Sequence, residues 1–298
     1  MKTKKPGIII LDVILLAIIL LLYGYRALFE DSYSAPEHIY EPVPAAAEAA
    51  APAPAPAAAV LPESTPQPTP EPTPEPTPEP TPEPTPDPDS PTGRAAALGL
   101  PEPPDIDINS WEYILANGEN SIAEYEPPEL VTLENQKIDS RIEEALTAMA
   151  EDTRSQGLSV FLSSGYRSYS EQAANFTRVC QNNGVTDGKT YDGFYITMPA
   201  GCSEHQTGLC CDITDVYYPT KNSTLENTAM FQYMSKHCQE FGFIVRFPKD
   251  KEEVTGVMYE PFHFRYVGKE AAEYITENGI CFEEFVSLYK DIVPVQLR

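Results

Sequence analysis

Histidine is scarce in this chain, with four residues in 298, and tryptophan occurs once. A metal or acid–base site built on imidazole therefore has only His38, His205, His237 and His263 to draw on. Positive charge is also in short supply: 20 Lys and Arg face 45 Asp and Glu, a net charge of −25. From Asp105 to Arg298 there are 15 basic and 31 acidic residues, a net −16. Such a chain has no basic stripe for nucleic acid and nothing to attract an anionic membrane surface, so no nucleic-acid partner is expected. Cysteine is missing from everything before Cys180. Outside one N-terminal stretch, no hydrophobic run is long enough to span a bilayer.

That stretch runs from Ile8 to about Tyr25, broken only by Asp12 and Gly24, and follows Lys2, Lys4 and Lys5. Its length is near the minimum for a transmembrane helix, and the lysines place the residues before it in the cytoplasm and the rest of the chain outside. Tyr23-Gly24-Tyr25-Arg26 makes a poor signal-peptidase site, so an uncleaved anchor is favoured over a cleaved signal peptide. The expected organisation is a cytoplasmic N-terminus (1–7), a transmembrane signal anchor (8–25), an extracytoplasmic linker (26–104) and one globular domain (105–298). The expected location is thus the cell membrane, single-pass, with the domain on the outer, cell-wall side.

Proline is concentrated in the linker: 22 of the 31 prolines fall between Glu41 and Pro104. An Ala/Pro-rich stretch (41–62) gives way to a Thr-Pro-Glu-Pro repeat (66–91). Alternating proline locks φ and removes donors, which predicts a disordered or polyproline II tether reaching roughly 80 Å at about 3.1 Å per residue. Its expected use is to hold a domain away from the membrane and into the wall. The six cysteines (Cys180, Cys202, Cys210, Cys211, Cys238, Cys281) all lie in the globular part. Outside the cytoplasm they permit disulfides in any of 15 full pairings, and buried free thiols are equally compatible.

The globular part reads as α+β, a small antiparallel sheet flanked by helices. Ile138, Ile142, Ala145, Leu146 and Met149 share a helical face, with Gly157 as a stop. Leu158–Leu162 reads as a buried strand. Ser168-Tyr169-Ser170-Glu171 is a capping-box pattern opening a helix that Gly184 ends. Leu209–Ile213 reads as a strand, and Met230, Phe231, Met234, Cys238 and Phe241 form a helical stripe stopped by Gly242. Phe243–Phe247 and His263–Val267 read as paired strands, with two helical segments near 269–278 and 282–290 closing the chain.

The chemistry concentrates in two places. His205 is followed seven residues later by Asp212, with Gly208 between them to turn the backbone. His263 follows Glu260 and Pro261, and the proline is expected to hold Glu260 on a turn beside His263. Two neutral imidazoles and one carboxylate would leave zinc an open fourth position for water. The metal would lower the pKa of that water and polarise a carbonyl, and Glu260 could carry the proton to a leaving amine. His38 and His237 have no such company.

Ser163-Ser164-Gly165-Tyr166-Arg167-Ser168, then Gln172, then Ser203-Glu204-His205-Gln206-Thr207-Gly208 to Asp212, then Gly242–Pro248, then Tyr259–Gly268 occur in order. Over roughly residues 109–290 the chain resembles the VanY-type zinc D-alanyl-D-alanine carboxypeptidases, which trim peptidoglycan stem peptides. The resemblance implies one Zn2+ per domain on His205, Asp212 and His263, with Glu260 as catalytic base. It implies that Arg167 stabilises an oxyanion or the substrate carboxylate and that Gln172 and Ser203 line the substrate site. A planar, permanently charged guanidinium suits such a task. The expected partners are then stem peptides ending in D-Ala, and the membrane through the N-terminal helix. Arg246 and Arg265 are expected to be structural or to support the site from just behind it.

Three positions depart from the family pattern. Phe262 stands where the family often has tryptophan, and Cys210 and Cys211 stand where small apolar residues are usual. Strand alternation puts the two cysteines on opposite faces, and a packing or disulfide role is expected for them. The function that follows is a membrane-anchored D,D-carboxypeptidase using metal-activated water. The alternatives are L,D-cleavage of tetrapeptide stems, a wall-binding module without catalysis, and a cysteine peptidase using Cys202 or Cys210 with His263. The binding module would have no need of Glu260, and the cysteine peptidase lacks a motif.

Overall fold

The computed structural model of the protein describes residues 86–293 and 295. The expected anchor (8–25) and most of the expected linker lie outside the described residues.

A four-stranded antiparallel sheet, ordered β3-β4-β6-β5, organises the fold. Its strands are β3 (Phe161–Ser164), β4 (Cys210–Thr214), β5 (Phe243–Phe247) and β6 (Glu260–Tyr266). In register, Cys210 pairs with Arg265, Cys211 with Phe264 and Asp212 with His263. Because side chains alternate, Cys211, Ile213 and Phe264 point one way and Cys210, Asp212, His263 and Arg265 the other. The first set joins the main core with Leu146 and Met149 of α2 (Glu143–Ser155) and Met230, Phe231 and Met234 of α4 (Ala229–His237). Each large side chain sequestered this way stabilises the fold by about 1.5–3 kcal/mol relative to exposure. The second set forms the polar face that carries the site.

The α+β class and its small antiparallel sheet agree with the sequence reading, and the helix ends show why. At Ser168 the side chain accepts from Glu171 N while the Glu171 carboxylate accepts from Ser168 N, so the capping box opens α3 (Tyr169–Asn183). Gly184 closes α3 in the left-handed conformation. The Met230–Phe241 stripe is split: α4 ends at His237 and a 3-10 turn, Cys238–Phe241, completes it.

Besides the shift of the strand expected at Leu158–Leu162 to Phe161–Ser164, three boundaries differ from expectation. Ile138 is not helical. Glu134 and Asn135 both take positive φ, the tight-turn geometry of a two-residue hairpin, so β1 (Leu130–Leu133) pairs with β2 (Gln136–Asp139). The helix is delayed to Glu143, behind a 3-10 turn at Ser140–Ile142. Glu260 is the first residue of β6 rather than part of a turn; Pro261 is accommodated because the β5–β6 register shifts between Val245 and Phe247.

The third difference concerns the end of the linker, expected at 104. Residues 91–97 form α1 (Pro91–Ala97), with Pro91 at its first position and Ser90 Oγ accepting from Gly93 N. Fully buried Ala95 packs in a second core with α5 (Lys269–Glu277) and α6 (Phe282–Tyr289). Tyr274 Oη donates to Pro101 O and Tyr289 Oη to Pro104 O. Proline-rich composition hid this segment, because its partners come from the far end of the chain.

Candidate metal centre and active site

Three pieces of backbone bring the site together. The first is the β4–β6 pairing, which sets Asp212 opposite His263. The second is a 3-10 turn, Glu204–Thr207, which presents His205 just before β4. Gly208 ends that turn at φ +71, where an added Cβ would meet Asp139 N at 2.9 Å, so glycine is needed both for conformation and for space. The third is the segment between β3 and α3. His205 Nδ1 lies 2.6 Å from Gly165 O, and Arg167 N donates back to His205 O at 3.0 Å. A carbonyl can only accept, so Nδ1 of His205 carries a proton, and in the neutral ring that a metal requires Nε2 presents its lone pair.

That lone pair faces Asp212. Asp212 Oδ1 lies 3.3 Å from His205 Nε2 and 3.1 Å from His263 Nδ1, and the two rings meet edge to face with centroids 4.9 Å apart. All three side chains are buried. Among the described residues, Asp212 Oδ1 has no hydrogen-bond donor, and neither Glu204 Oε2 nor His263 Nε2 has a hydrogen-bond partner. The last two lie 3.5 Å apart. If His263 Nε2 carries the proton it can be aimed at Glu204, and Nδ1 is left as a second lone pair beside Asp212. Two nitrogens and one oxygen thus converge with unused acceptor capacity, which is what a divalent metal requires and what a buried hydrogen-bond network would not leave behind. The other oxygen of Asp212, Oδ2, accepts from Lys221 Nζ at 2.8 Å.

A cavity of about 250 Å3 opens onto these groups. His205, Asp212, Glu260 and His263 reach it, as do Arg167, Ser203, Arg178 and Lys221, with Met198, Phe247 and Phe262 as apolar wall. Three cations (Arg167, Arg178, Lys221) and three carboxyl groups (Glu204, Asp212, Glu260) line it, so the recess is charge-mixed, with Arg178 and Lys221 toward the rim. Glu260 Oε2 sits 3.7 Å from His263 Nδ1. Burial pushes the Glu260 carboxyl up to about 7, and the attraction of His263 offsets this only in part. Burial would also raise Asp212, but His205 and Lys221 outweigh it and hold the carboxyl well below the usual carboxylate range. For the Cys210 thiol burial is likewise opposed, by His205 and His263, which bring it down to about 6.

The sequence-derived residues fall into place unequally. His205, Asp212, His263, Glu260, Arg167 and Ser203 share the cavity. Gln172 does not line it: the side chain is buried, donates to Met198 O at 2.6 Å and accepts from Arg167 Nε at 2.8 Å. Ser164 Oγ accepts from Arg167 Nη1 at 2.7 Å, so Gln172 and Ser164 together aim the guanidinium. Cys210 is a departure from expectation. All six cysteines are free thiols, and Cys210 faces the two imidazoles while Cys211 packs in the core. Strand alternation, which puts Cys210 on the face of Asp212, was the available signal. For Lys221, Arg178 and Asn175 on the rim there was none, since they come from a loop and from mid-helix.

Behind the cavity lies a second polar cluster. Glu204 Oε1 accepts from Arg246 Nε at 2.7 Å and from Arg265 Nη1 at 2.8 Å. Arg246 also makes a two-pronged pair with Glu283, at 2.8 and 2.7 Å, and Asn117 donates to the same carboxylate. Arg265 spends its remaining donors on the carbonyls of Glu112, Ile114 and Tyr266. Arg246 and Arg265 are therefore structural, as expected, and Glu204 is the carboxylate they share.

The fold and this site define a class, and comparison with known proteins gives it a name. The family model described as VanY, D-alanyl-D-alanine carboxypeptidase, matches residues 135–269. A D-alanyl-D-alanine carboxypeptidase of Enterococcus faecalis (strain ATCC 700802 / V583) is 35% identical over 191 residues, covering 62% of this chain and 69% of that protein. Among solved structures, the LdcB LD-carboxypeptidase gives a TM-score of 0.53 at 32% identity, over 62% of this chain and 90% of that one. The vancomycin resistance D,D-pentapeptidase VanY from a VanB-type cassette, in complex with Zn(II), gives 0.50 at 33% identity, over 59% and 99%. This chain belongs to the VanY family of D-alanyl-D-alanine carboxypeptidases.

Proposed function

We propose that the protein is a zinc carboxypeptidase that removes the C-terminal D-alanine from peptidoglycan stem peptides. The observation that carries this reading is Asp212 Oδ1, buried, lacking a donor among the described residues, and flanked within 3.3 Å by nitrogens of His205 and His263. Zinc fits that donor set and supplies, when bound, a Lewis acid that polarises the scissile carbonyl and lowers the pKa of water.

The protein's own groups do the rest. Glu260, poised near neutrality by burial, takes a proton from the attacking water at its carboxylate. As the oxygen bonds to the carbonyl carbon and the C–N bond breaks, that proton passes to the departing amine of D-alanine. Arg167 is fixed by Gln172 and Ser164, so it meets the terminal carboxylate or the developing oxyanion without reorganising. Ser203 and the cationic rim of Arg178 and Lys221 complete a recess suited to an anionic chain end.

Cleavage of pentapeptide stems is the first reading. Cleavage of tetrapeptide stems is kept as the second, because the LD-carboxypeptidase LdcB is as similar to this chain as the D,D-enzyme is. Mass analysis of products from defined penta- and tetrapeptide stems, with and without chelator, separates them. Terminal alanine released only from the pentapeptide, and only without chelator, is the expected result. Release that survives chelation would remove the metal from the reaction. The hydrophobic run at 8–25 and the proline-rich stretch after it support a further part of the reading, that the domain is tethered to the outer side of the membrane. Recovery of the full chain in a carbonate-washed membrane fraction, with the domain open to added protease on intact protoplasts, is the expected outcome.

A further inference from the structure

We propose that Cys210 is a fourth protein ligand of the metal, supplied from the buried side of the site. The inference rests on the metal reading above and adds to it a sulfur donor. Cys210 opens β4, and its register partner is Arg265, while two residues on Asp212 pairs with His263. Alternation therefore puts Cys210 and Asp212 on the same face of the sheet, one behind the other. The Sγ of Cys210 and one nitrogen from each of His205 and His263 all lie within 4.8 Å of one another. Cys210 has no exposed surface and is not part of the cavity wall, so its sulfur stands behind the imidazoles as seen from the substrate side.

Packing does not account for this position. The neighbouring thiol, Cys211, joins the apolar core with Ile213 and Phe264, whereas Cys210 belongs to none of the hydrophobic clusters. The site around it is short of partners: Asp212 Oδ1 and His263 Nε2 are buried and unpaired among the described residues. A thiolate is a strong zinc ligand, and on binding the thiol proton leaves to solvent through the cavity. Sulfur entering from behind leaves the cavity side of the metal open to substrate and water. The centre is then a two-nitrogen, one-oxygen, one-sulfur set, softer than the three-ligand set alone. It retains its metal more firmly and prefers thiophilic ions.

Cobalt(II) titration of the metal-free full chain, followed by absorbance, tests this with no reference to turnover. Wild type is expected to show the visible bands of bound cobalt together with a near-ultraviolet sulfur-to-cobalt charge-transfer band. Cys210→Ala and Cys210→Ser should keep the visible bands and lose the charge-transfer band. Cys202→Ala, which alters the thiol on the cavity wall, should keep both. Zinc should leave Cys210→Ala at least about tenfold more readily than wild type in chelator competition. Visible bands without the charge-transfer band in wild type, or a band that persists in both Cys210 variants, overturns the sulfur ligand and leaves the metal reading standing. Absence of visible bands in wild type removes both. The wild-type spectrum alone decides if the variants fail to fold.

Discussion

Two buried polar clusters share Glu204 and one face of the same sheet, yet they are built on opposite plans. In the cluster of Glu204, Arg246, Arg265 and Glu283, two carboxylates meet two guanidiniums and nearly every donor has an acceptor. In the second cluster, His205, Cys210 and His263 converge, Asp212 and Glu260 lie against the imidazoles, and among the described residues Asp212 Oδ1 and His263 Nε2 lack hydrogen-bond partners. The first is closed and charge-balanced and holds shape. The second is acceptor-rich and needs a cation from outside the chain. The only carboxylate common to both, Glu204, turns its saturated oxygen to the arginines and its unsaturated one to His263. Burial alone would raise its pKa, but Arg246 and Arg265 reverse that and hold it far below the usual carboxylate range.

The largest effect should come from the open cluster. Glu260→Gln keeps the ligands and removes the base, so zinc content by mass analysis should stay at one per chain while kcat falls by about 10²–10⁴-fold. A variant that retains full activity would take Glu260 out of the mechanism. In the closed cluster, Arg246→Met leaves Glu204 and Glu283 buried without their main counter-charge. A stability loss of about 3–5 kcal/mol in denaturant titration is expected. Asp212→Asn should cost the metal-free protein far less, and equal losses would erase the distinction between the clusters.

Acidification should separate the clusters by direction. Because the Glu260 carboxyl is raised to about 7, the base is lost by protonation as pH falls, and kcat/KM should drop on the acid side. A dication beside it shifts that limb below 7. Glu204 is depressed instead. Its contribution to stability is complete above the ordinary carboxylate value of about 4.3 and is lost only as pH falls through its lower folded value. Thermal melts of metal-free protein between about pH 2 and 6 should show this loss in wild type and much less of it in Arg246→Met. The smallest effect is expected at Lys221, a partly exposed group on the outer oxygen of Asp212. Lys221→Met should weaken zinc retention by about tenfold at most, with little change in stability.

The same contrast explains what could be read from the chain. His205, Asp212, His263 and Glu260 were legible because a metal and a base demand particular residue types, and scarce histidines narrow the search. The strands carrying Asp212 and His263 were legible because the runs Leu209–Ile213 and His263–Val267 are bounded by Gly208 and Gly268. The closed cluster was less legible: Arg246 and Arg265 read only as structural or supporting, since pairing depends on a turn 42 residues away and a helix 37 residues away. The β1–β2 hairpin was lost because Ile138, Ile142 and Leu146 also fit a helical period, and two positive-φ residues decided the matter. Gln172 was placed on the substrate side only because the family resemblance implies it. Whether it faces the cavity or the guanidinium depends on the carbonyl of Met198.

The clasp between the β3–α3 segment and the histidine turn has a further consequence. Gly165 O receives His205 Nδ1–H, and two residues later Arg167 N returns a hydrogen bond to His205 O. One short length of main chain thus carries both the group that reads the end of a peptide and the support of the group that marks the cleavage point. Under the proposed function this clasp is a ruler. It sets how far from its terminus a peptide is cut in the rigid currency of backbone geometry, so that side-chain substitutions around the cavity can retune which terminal residue is accepted without changing how many are removed.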